Sequence, residues 1–322
     1  MKRLAVINVV GLTQSVLETS THMKAFAARG ARVSIAPAFP AVTCTAQSTY
    51  LTGLTPAQHG IVGNGWYDRT LSEVQFWKQS NKLVAGAKVW EDLRREIPGF
   101  TCAKIFWWYN MYSSADFSLT PRPMYPADGR KVFDIYTHPA SIRTEIKKEL
   151  GEFPFPSFWG PLAGIKSSQW IAESAKWIER RHQPTMNLIY LPHLDYNLQR
   201  LGPNHPDIAN DIAKIDAVVG DLISFFSKQF VEVVLLSEYG ITEVNQPIHL
   251  NRLFRDAVLG KQHDLDRLLV EERNQVAHHR VNLCDVFRDV GMIWAEPLQV
   301  VIEVWQIDQI QRRLMATLDP LG

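Results

Sequence analysis

The sequence has little cysteine, no long apolar run and almost no net charge. Three cysteines, Cys44, Cys102 and Cys284, are too few and too widely spaced for a disulfide framework or a zinc finger, so we expect a reducing, cytoplasmic location. No apolar run approaches the roughly 18 residues that a membrane-spanning helix needs, so a membrane is not a predicted partner. The 34 basic and 33 acidic side chains leave a formal charge of +1, which gives no long-range attraction for nucleic acid polymers.

Short runs of aliphatic residues that end in turns are present along the 322 residues, and they are typical of strands buried on both faces. The first run follows Lys2 and Arg3 but is interrupted by Asn8, so we interpret it as a strand and not as a secretory signal. The predicted strands are residues 4–10, 33–36, 187–191 and 231–236.

Helical patterns separate these strands. The clearest is PDIANDIAKIDAVVGDLISFF, residues 206–226, where apolar residues recur at steps of three and four. Further predicted helices are residues 21–28, 89–95, 142–150, 169–181 and 250–257. The alternation predicts an α/β domain over residues 1–322, with a mostly parallel sheet covered on both faces.

Two regions depart from this alternation. Residues 65–162 are rich in aromatic residues, proline and glycine with weak periodicity, and we predict an insertion over the edge of the sheet. The C-terminal segment, residues 281–322, shows a pattern of an edge strand followed by a short helix, with no clear boundary between them.

Polar side chains follow the predicted strands, at the edge where parallel α/β sheets bind ligands. They occur in VINVVGLT, IYLPHLDYNLQRLGP and VVLLSEYGIT, and in the window PAFPAVTCTAQSTYLTGLTPAQHGIVGN, residues 37–64. A helix predicted to begin at Thr43 would present unpaired backbone N–H groups, which suit a phosphoryl oxygen.

The window resembles the type I phosphodiesterase and nucleotide pyrophosphatase branch of the alkaline phosphatase superfamily. The matching residues are Pro40, Thr43, Thr52, Gly53, Pro56, His59, Gly60 and Asn64. By the same resemblance, Asp195 falls on a carboxylate ligand of the family, and SEYG is similar to its S-D-H-G turn. The resemblance implies an alkaline-phosphatase-like three-layer α/β/α sandwich.

The resemblance also implies a covalent mechanism on a small phosphate ester or nucleotide-like substrate. Thr43 would be the nucleophile, activated by two zinc ions that also stabilise the leaving oxygen. The backbone N–H of Cys44 would hold a phosphoryl oxygen, and Asn64 would donate a second hydrogen bond to it.

The family's metal centre uses three aspartates and three histidines, and this sequence departs from that set. Val10 stands at the first aspartate, Gln199 at a histidine, and Tyr239 at another histidine, while Glu238 keeps an acid. Among the replacements, Gln199 is a candidate ligand in its own right. The other candidates are Thr43, Asp195 and Glu238, with Asn8, His193 and His278 as stand-ins. Oxygen ligands would favour Mg²⁺ or Mn²⁺ over zinc.

Asn8 and His193 are chosen by strand alternation. Each lies two residues before a position of the family's ligand set, Val10 or Asp195, and alternate strand residues share a face. His249 is a further candidate.

Several positions allow a structural interpretation beside the functional one. Thr43 could cap the helix, and Asn64 could be a turn residue between glycines. Tyr239 could bind or protonate the leaving group, or simply pack. The aromatic run at 105–112 could stack on a nucleobase or belong to the core.

Three other functions stay open for the whole chain. The changed ligands fit a member without catalysis that binds phosphate ligands or acts as a scaffold. An altered C-terminal region would leave an incomplete enzyme. Asp195 and Glu238 could also act as the acid and base of a glycoside hydrolase.

Overall fold

The computed structural model describes residues 2–244 and residue 249. The strands are β1 (Arg3–Val9), β2 (Gly65–Asp68), β3 (Glu73–Phe76), β4 (Cys102–Ile105), β5 (Phe117–Met124), β6 (Val132–His138), β7 (Met186–Leu191) and β8 (Val231–Leu236). The helices are α1 (Gln14–Thr19), α2 (His22–Ala27), α3 (Thr43–Thr52), α4 (Pro56–His59), α5 (Val89–Glu96), α6 (Ser141–Leu150), α7 (Ile165–His182), α8 (His193–Leu201) and α9 (Asp207–Lys228).

Six strands form one sheet in the order β6-β5-β4-β7-β1-β8. All neighbours run parallel except β5 and β6, which pair antiparallel at one edge. Helix α7 packs against β4 and β7, and α9 packs against β8 and α7. All six residues of β7 are buried, as its apolar run predicts. The predicted α/β class with a mostly parallel sheet is confirmed.

The elements with the strongest apolar patterns lie where the sequence predicts them. Strands β1, β7 and β8 are within one residue of the prediction, and α9 contains nearly all of the predicted 206–226 helix. The predicted helix at 250–257 and the segment 281–322 lie outside the described residues. No helix in the described part of the chain has both the length and the apolar character needed to cross a bilayer.

The predicted strand at 33–36 is wrong. These residues have no regular secondary structure, and Val33 is 39% exposed. A strand is held by hydrogen bonds to a neighbouring strand, and none of the described strands pairs with this segment. The chain therefore enters α3 from an irregular segment.

The prediction for residues 65–162 also needs correction. The sequence predicts an insertion that covers the edge of the sheet. The region instead supplies β4, β5 and β6, which are half of the main sheet and form that edge. Its aromatic residues contribute to the core. Phe106 packs against Phe153, Phe158 and Trp170 with ring centroids 4.8 to 6.0 Å apart.

The register of the central strands determines where the polar side chains emerge. Asn8 in β1 pairs with Tyr190 in β7 on one side and with Leu236 in β8 on the other. The segments that follow β7 and β8 therefore leave the sheet beside Asn8. These segments begin α8 and carry Glu238, so the chain brings three polar strand ends together at one edge.

Candidate active site

Thr43 is the first residue of α3 and is almost fully buried, with 2% of its surface exposed. The N-cap of this helix is Val42, which has extended backbone and no side-chain hydrogen bond to the helix. The interpretation of Thr43 as the capping residue is therefore wrong. Its hydroxyl takes part in contacts outside the helix, described below.

Asn64 and Cys44, both predicted to hold a phosphoryl oxygen, contact each other. The backbone N–H of Cys44 donates to Asn64 Oδ1 at 3.0 Å. The N–H of Cys44 that was predicted to hold a phosphoryl oxygen is therefore occupied by Asn64, and the amide nitrogen of Asn64 is the group left for a ligand. The thiol of Cys44 is fully buried, and burial raises its pKa, so it does not compete with Thr43 as a nucleophile.

Glu238 is buried behind the threonine. Its Oε1 accepts hydrogen bonds from Asn8 Nδ2 and Gln47 Nε2, each at 2.6 Å. Burial raises the pKa of Glu238 to about 8, although side-chain hydrogen bonds with Gln47, Asn8 and Thr43 act in the opposite direction. Glu238 Oε2 and Asn8 Oδ1 are buried and have no hydrogen-bond partner among the described residues.

Gln47 is a residue of the site that the sequence analysis missed. It lies four residues after Thr43 on α3, so helical spacing places it on the same face. Its Oε1 accepts the backbone N–H of Trp108 at 2.7 Å, while its Nε2 donates to Glu238. The spacing from Thr43 was the available signal.

Asp195 lies on the solvent side of the cluster and is half-buried. The Tyr239 hydroxyl donates to Asp195 Oδ1 at 3.0 Å and lies 3.3 Å from Thr43 Oγ1. Gln199 Nε2 donates to both carboxylate oxygens of Asp195 at 2.8 Å. Burial raises the pKa of Asp195 against the opposing effect of these two donors, and burial also raises the pKa of Tyr239.

His193 does not join the cluster. The prediction assumed that it shares a strand face with Asp195, but both residues belong to α8, where side chains two apart point in different directions. His193 Nε2 lies 3.3 Å from Asp211 Oδ1, and burial lowers the His193 pKa to about 4. Gln199 shares the face of Asp195 because it lies four residues later on the helix.

The remaining histidine candidates have other surroundings or are not described. His59 is buried, accepts the N–H of Ile61 at Nδ1, and pairs with the Thr49 hydroxyl at 3.0 Å, so it holds the turn after α4. His249 is exposed. His278 lies outside the described residues.

Comparison with known proteins identifies the family. The family model for type I phosphodiesterase / nucleotide pyrophosphatase matches residues 4–315. The chain belongs to this family. Among curated relatives, an uncharacterized pyrophosphatase/phosphodiesterase of Schizosaccharomyces pombe is 25% identical over 230 residues, which is 68% of this chain and 40% of the relative.

Solved structures show the same fold. Murine ectonucleotide pyrophosphatase / phosphodiesterase 5, an inactive variant in complex with AMP, matches 78% of this chain and 61% of that chain with a TM-score of 0.55 at 17% identity. Wild-type alkaline phosphatase PafA matches 74% of this chain and 63% of that chain, with a TM-score of 0.56 at 13% identity. The alkaline-phosphatase-like fold is thus confirmed, and the chain spans two to three fifths of the length of these relatives.

Members of this family are metal-dependent, but the described side chains of this chain do not fit a pair of zinc ions. The cluster contains two carboxylates, and Val10 at the position of the first aspartate belongs to the apolar core. Within residues 2–244 and at 249, no three His, Cys, Asp or Glu side chains are placed to hold a metal. Side-chain N–H and O–H groups donate to both carboxylates, Asp195 and Glu238.

Proposed function

We propose that this chain hydrolyses small phosphoric esters, such as nucleotide-like diesters or pyrophosphates, with Thr43 as the nucleophile. The observation that carries the proposal is the contact of the Thr43 hydroxyl with Tyr239 and, through it, with Asp195, at the start of α3. Two facts about a relative support it: the murine protein binds AMP, and its inactive variant carries a threonine-to-alanine change.

The start of α3 suits the anionic part of such a substrate. The first N–H groups of a helix have no partner within the helix and carry positive partial charge. They lie next to the attacking oxygen of Thr43. The N–H of Cys44 is already donated to Asn64 Oδ1, and Asn64 can offer its amide nitrogen to the substrate in turn. These groups would stabilise charge that develops on the phosphoryl oxygens.

The charge of Glu238 decides whether an anion is tolerated there. With a pKa of about 8, this carboxyl is mostly protonated at pH 7, so it adds little negative charge beneath Thr43. Asp195 is the remaining acidic group of the cluster; burial raises its pKa, and the donors Gln199 and Tyr239 oppose that effect by stabilising the ionised form. The cluster therefore repels a phosphate ester less than two ionised carboxylates would.

A divalent metal is the cofactor that the family implies, with zinc expected by resemblance and Mg²⁺ or Mn²⁺ by the oxygen donors. The hydrogen-bonded state of Asp195 and Glu238 leads us to propose that attack by Thr43 does not depend on a zinc pair held by the described side chains. A burst of product that persists after chelation of divalent ions is the expected result.

The test uses 4-nitrophenyl phosphate and bis(4-nitrophenyl) phosphate, with and without chelator. We expect a burst of 4-nitrophenolate and a phosphoryl adduct on Thr43, detected by mass spectrometry of peptides. Thr43→Ala should abolish both, whereas Thr70→Ala in the exposed turn between β2 and β3 should change neither. A Thr43→Ala variant with the activity of the unmodified protein would refute the assignment.

A second candidate is binding of a phosphate ligand without turnover. It is favoured by the amide donors on both carboxylates, because each hydrogen bond must be broken before that oxygen can bind a metal. Calorimetric titration with AMP distinguishes the two functions. Binding without adduct or product, unchanged in Thr43→Ala, would support the second candidate.

A cytoplasmic location also stays a proposal. The two cysteines in the described part of the chain, Cys44 and Cys102, are free and buried, as expected in a reducing compartment. Fractionation of cells that make the protein would test it.

A further inference from the structure

The Tyr239 hydroxyl lies between the nucleophile and a carboxylate. It is 3.3 Å from Thr43 Oγ1 and 3.0 Å from Asp195 Oδ1, and the residue is 8% exposed. Gln199 and Tyr239 together direct three hydrogen bonds to Asp195, so its carboxylate acts as the acceptor. A phenol has one proton, and Tyr239 donates it to Asp195. Toward Thr43 the phenol oxygen is therefore left to accept, and the threonine hydroxyl, whose other side-chain contact is with Glu238, can donate to it.

Contacts outside the cluster hold this chain of hydrogen bonds in place. Ser237 Oγ donates to the carbonyl of Tyr239 at 3.2 Å, and Tyr50 donates to the carbonyl of Ser237 at 3.1 Å. Asp195 is fixed from the other side by Gln199 on the same helix. The backbone that carries Tyr239 and the carboxylate of Asp195 are thus both held in place, as a proton relay requires.

We propose that Tyr239 relays the proton of Thr43 to Asp195 when Thr43 attacks phosphorus, an inference that rests on the proposed function. The bond between Thr43 Oγ1 and phosphorus forms as the bond to the leaving oxygen breaks, and the leaving oxygen takes that electron pair. The Thr43 proton moves to the Tyr239 oxygen while the Tyr239 proton moves to Asp195 Oδ1. Asp195 ends protonated, and Tyr239 ends neutral.

The second half of the reaction returns these protons. Water attacks the phosphothreonine, its proton passes to solvent, and the Thr43–phosphorus bond breaks toward the threonine oxygen. Tyr239 then donates to Thr43, and Asp195 returns its proton to Tyr239. The leaving group of the first step takes a proton from solvent, so the whole cycle consumes one water and restores every side chain.

The test variant is Tyr239→Phe, which removes the hydroxyl and keeps the ring. Because general acid–base groups contribute about 100-fold or more to the rate, we expect kcat for bis(4-nitrophenyl) phosphate to fall by at least that factor with little change in KM. Asp195→Asn should cause a comparable loss, which keeps the proposal testable if one variant folds poorly. Tyr136→Phe, at β6 on the far edge of the sheet, is the matched control and should keep the unmodified rate.

A solvent isotope measurement separates a relay from a packing role. If two protons move in the rate-determining step, the rate of the unmodified protein should depend non-linearly on the fraction of D₂O in the solvent. In Tyr239→Phe we expect that curvature to be lost. A Tyr239→Phe variant with unchanged kcat and the same curvature, beside an inactive Thr43→Ala, would overturn the relay and leave the function intact. Full activity of Thr43→Ala, or no burst from the unmodified protein, would overturn both.

Discussion

Replacing Glu238 by glutamine should change how the stability of this protein depends on pH. The carboxyl group is buried, and burial raises its pKa to about 8 from an ordinary value of 4.5. The folded state therefore holds the proton more tightly than the unfolded state does. The resulting stabilisation is fully present below pH 4.5, declines as the pH rises, and is lost once the pH passes about 8.

The two pKa values set the size of the effect. The difference between 4.5 and about 8 corresponds to roughly 5 kcal/mol in the free energy of unfolding. Glutamine cannot ionise, and its carbonyl oxygen can accept the same hydrogen bonds from Asn8 and Gln47. The variant should consequently gain stability relative to the unmodified protein as the pH is raised, by several kcal/mol between pH 5 and pH 9.

Urea unfolding at pH values from 5 to 9 measures this difference directly. Other titrating groups are shared by the two proteins and largely cancel in the comparison. Glu232→Gln provides the control, because Glu232 lies on the same strand, β8, but is exposed and pairs with Lys2 at the surface. A difference between Glu238→Gln and the unmodified protein that stays constant within about 1 kcal/mol across this range would refute the argument.

Two further predictions concern groups outside the cluster. Burial lowers the pKa of Lys104 to about 7, and its Nζ donates to the backbone carbonyls of Trp108 and Tyr109. Lys104→Met should therefore lower the free energy of unfolding by about 2 kcal/mol or more, measured by chemical unfolding. Lys82→Met at the surface is the control and should lower it little. Burial lowers the pKa of His193 to about 4, so the stability that the neutral imidazole contributes is present above pH 6.5 and is lost as the pH falls toward 4. The difference in unfolding free energy between the unmodified protein and His193→Asn should shrink by roughly 3 kcal/mol over that range. A difference that stays constant during acid unfolding would contradict this.

The sequence predicted the parts of the fold that have regular apolar patterns. Strand β7 lies inside the sheet and all of its residues are buried, β1 and β8 are mostly apolar beside it, and α9 repeats its apolar residues at helical spacing. These signals depend only on which residues must be buried. The boundaries follow because polar residues and turns interrupt each run.

Strand β5 shows why the edge of the sheet was missed. Its sequence, FSLTPRPM, contains Pro121 and Pro123, and proline argues against a strand. Beyond Leu119, however, β5 extends past its pairing with β4 and pairs only with β6. Alternate residues direct their N–H groups to opposite sides, so both prolines can face the side without a neighbour. The strand tolerates these prolines because one of its sides has no neighbour there, and the sequence pattern alone does not show which side that is.

The candidate site was predictable as a location but not as a hydrogen-bonded network. Thr43, Asp195 and Glu238 were found because they match motifs of the family that the sequence resembles and lie near the ends of predicted strands, although the strand predicted before Thr43 is absent. The direction in which the amides of Asn8 and Gln199 point could not be predicted. It depends on the register of β1 against β8 and on residues 193–201 forming a helix. That helix turns His193 away from the site and brings Gln199 to Asp195.

The departures from the family's ligand set compensate one another electrostatically. A carboxylate at the edge of a core needs donors or positive charge. Asp195 obtains both of its donors from Gln199 and Tyr239, the positions where the resemblance leads us to expect histidine. Glu238 obtains two amide donors and keeps its proton near neutral pH. Restoring one histidine would therefore remove a donor from Asp195 before any metal could replace it. The chemistry at Thr43 is best sought in the hydrogen-bonded cluster as it stands.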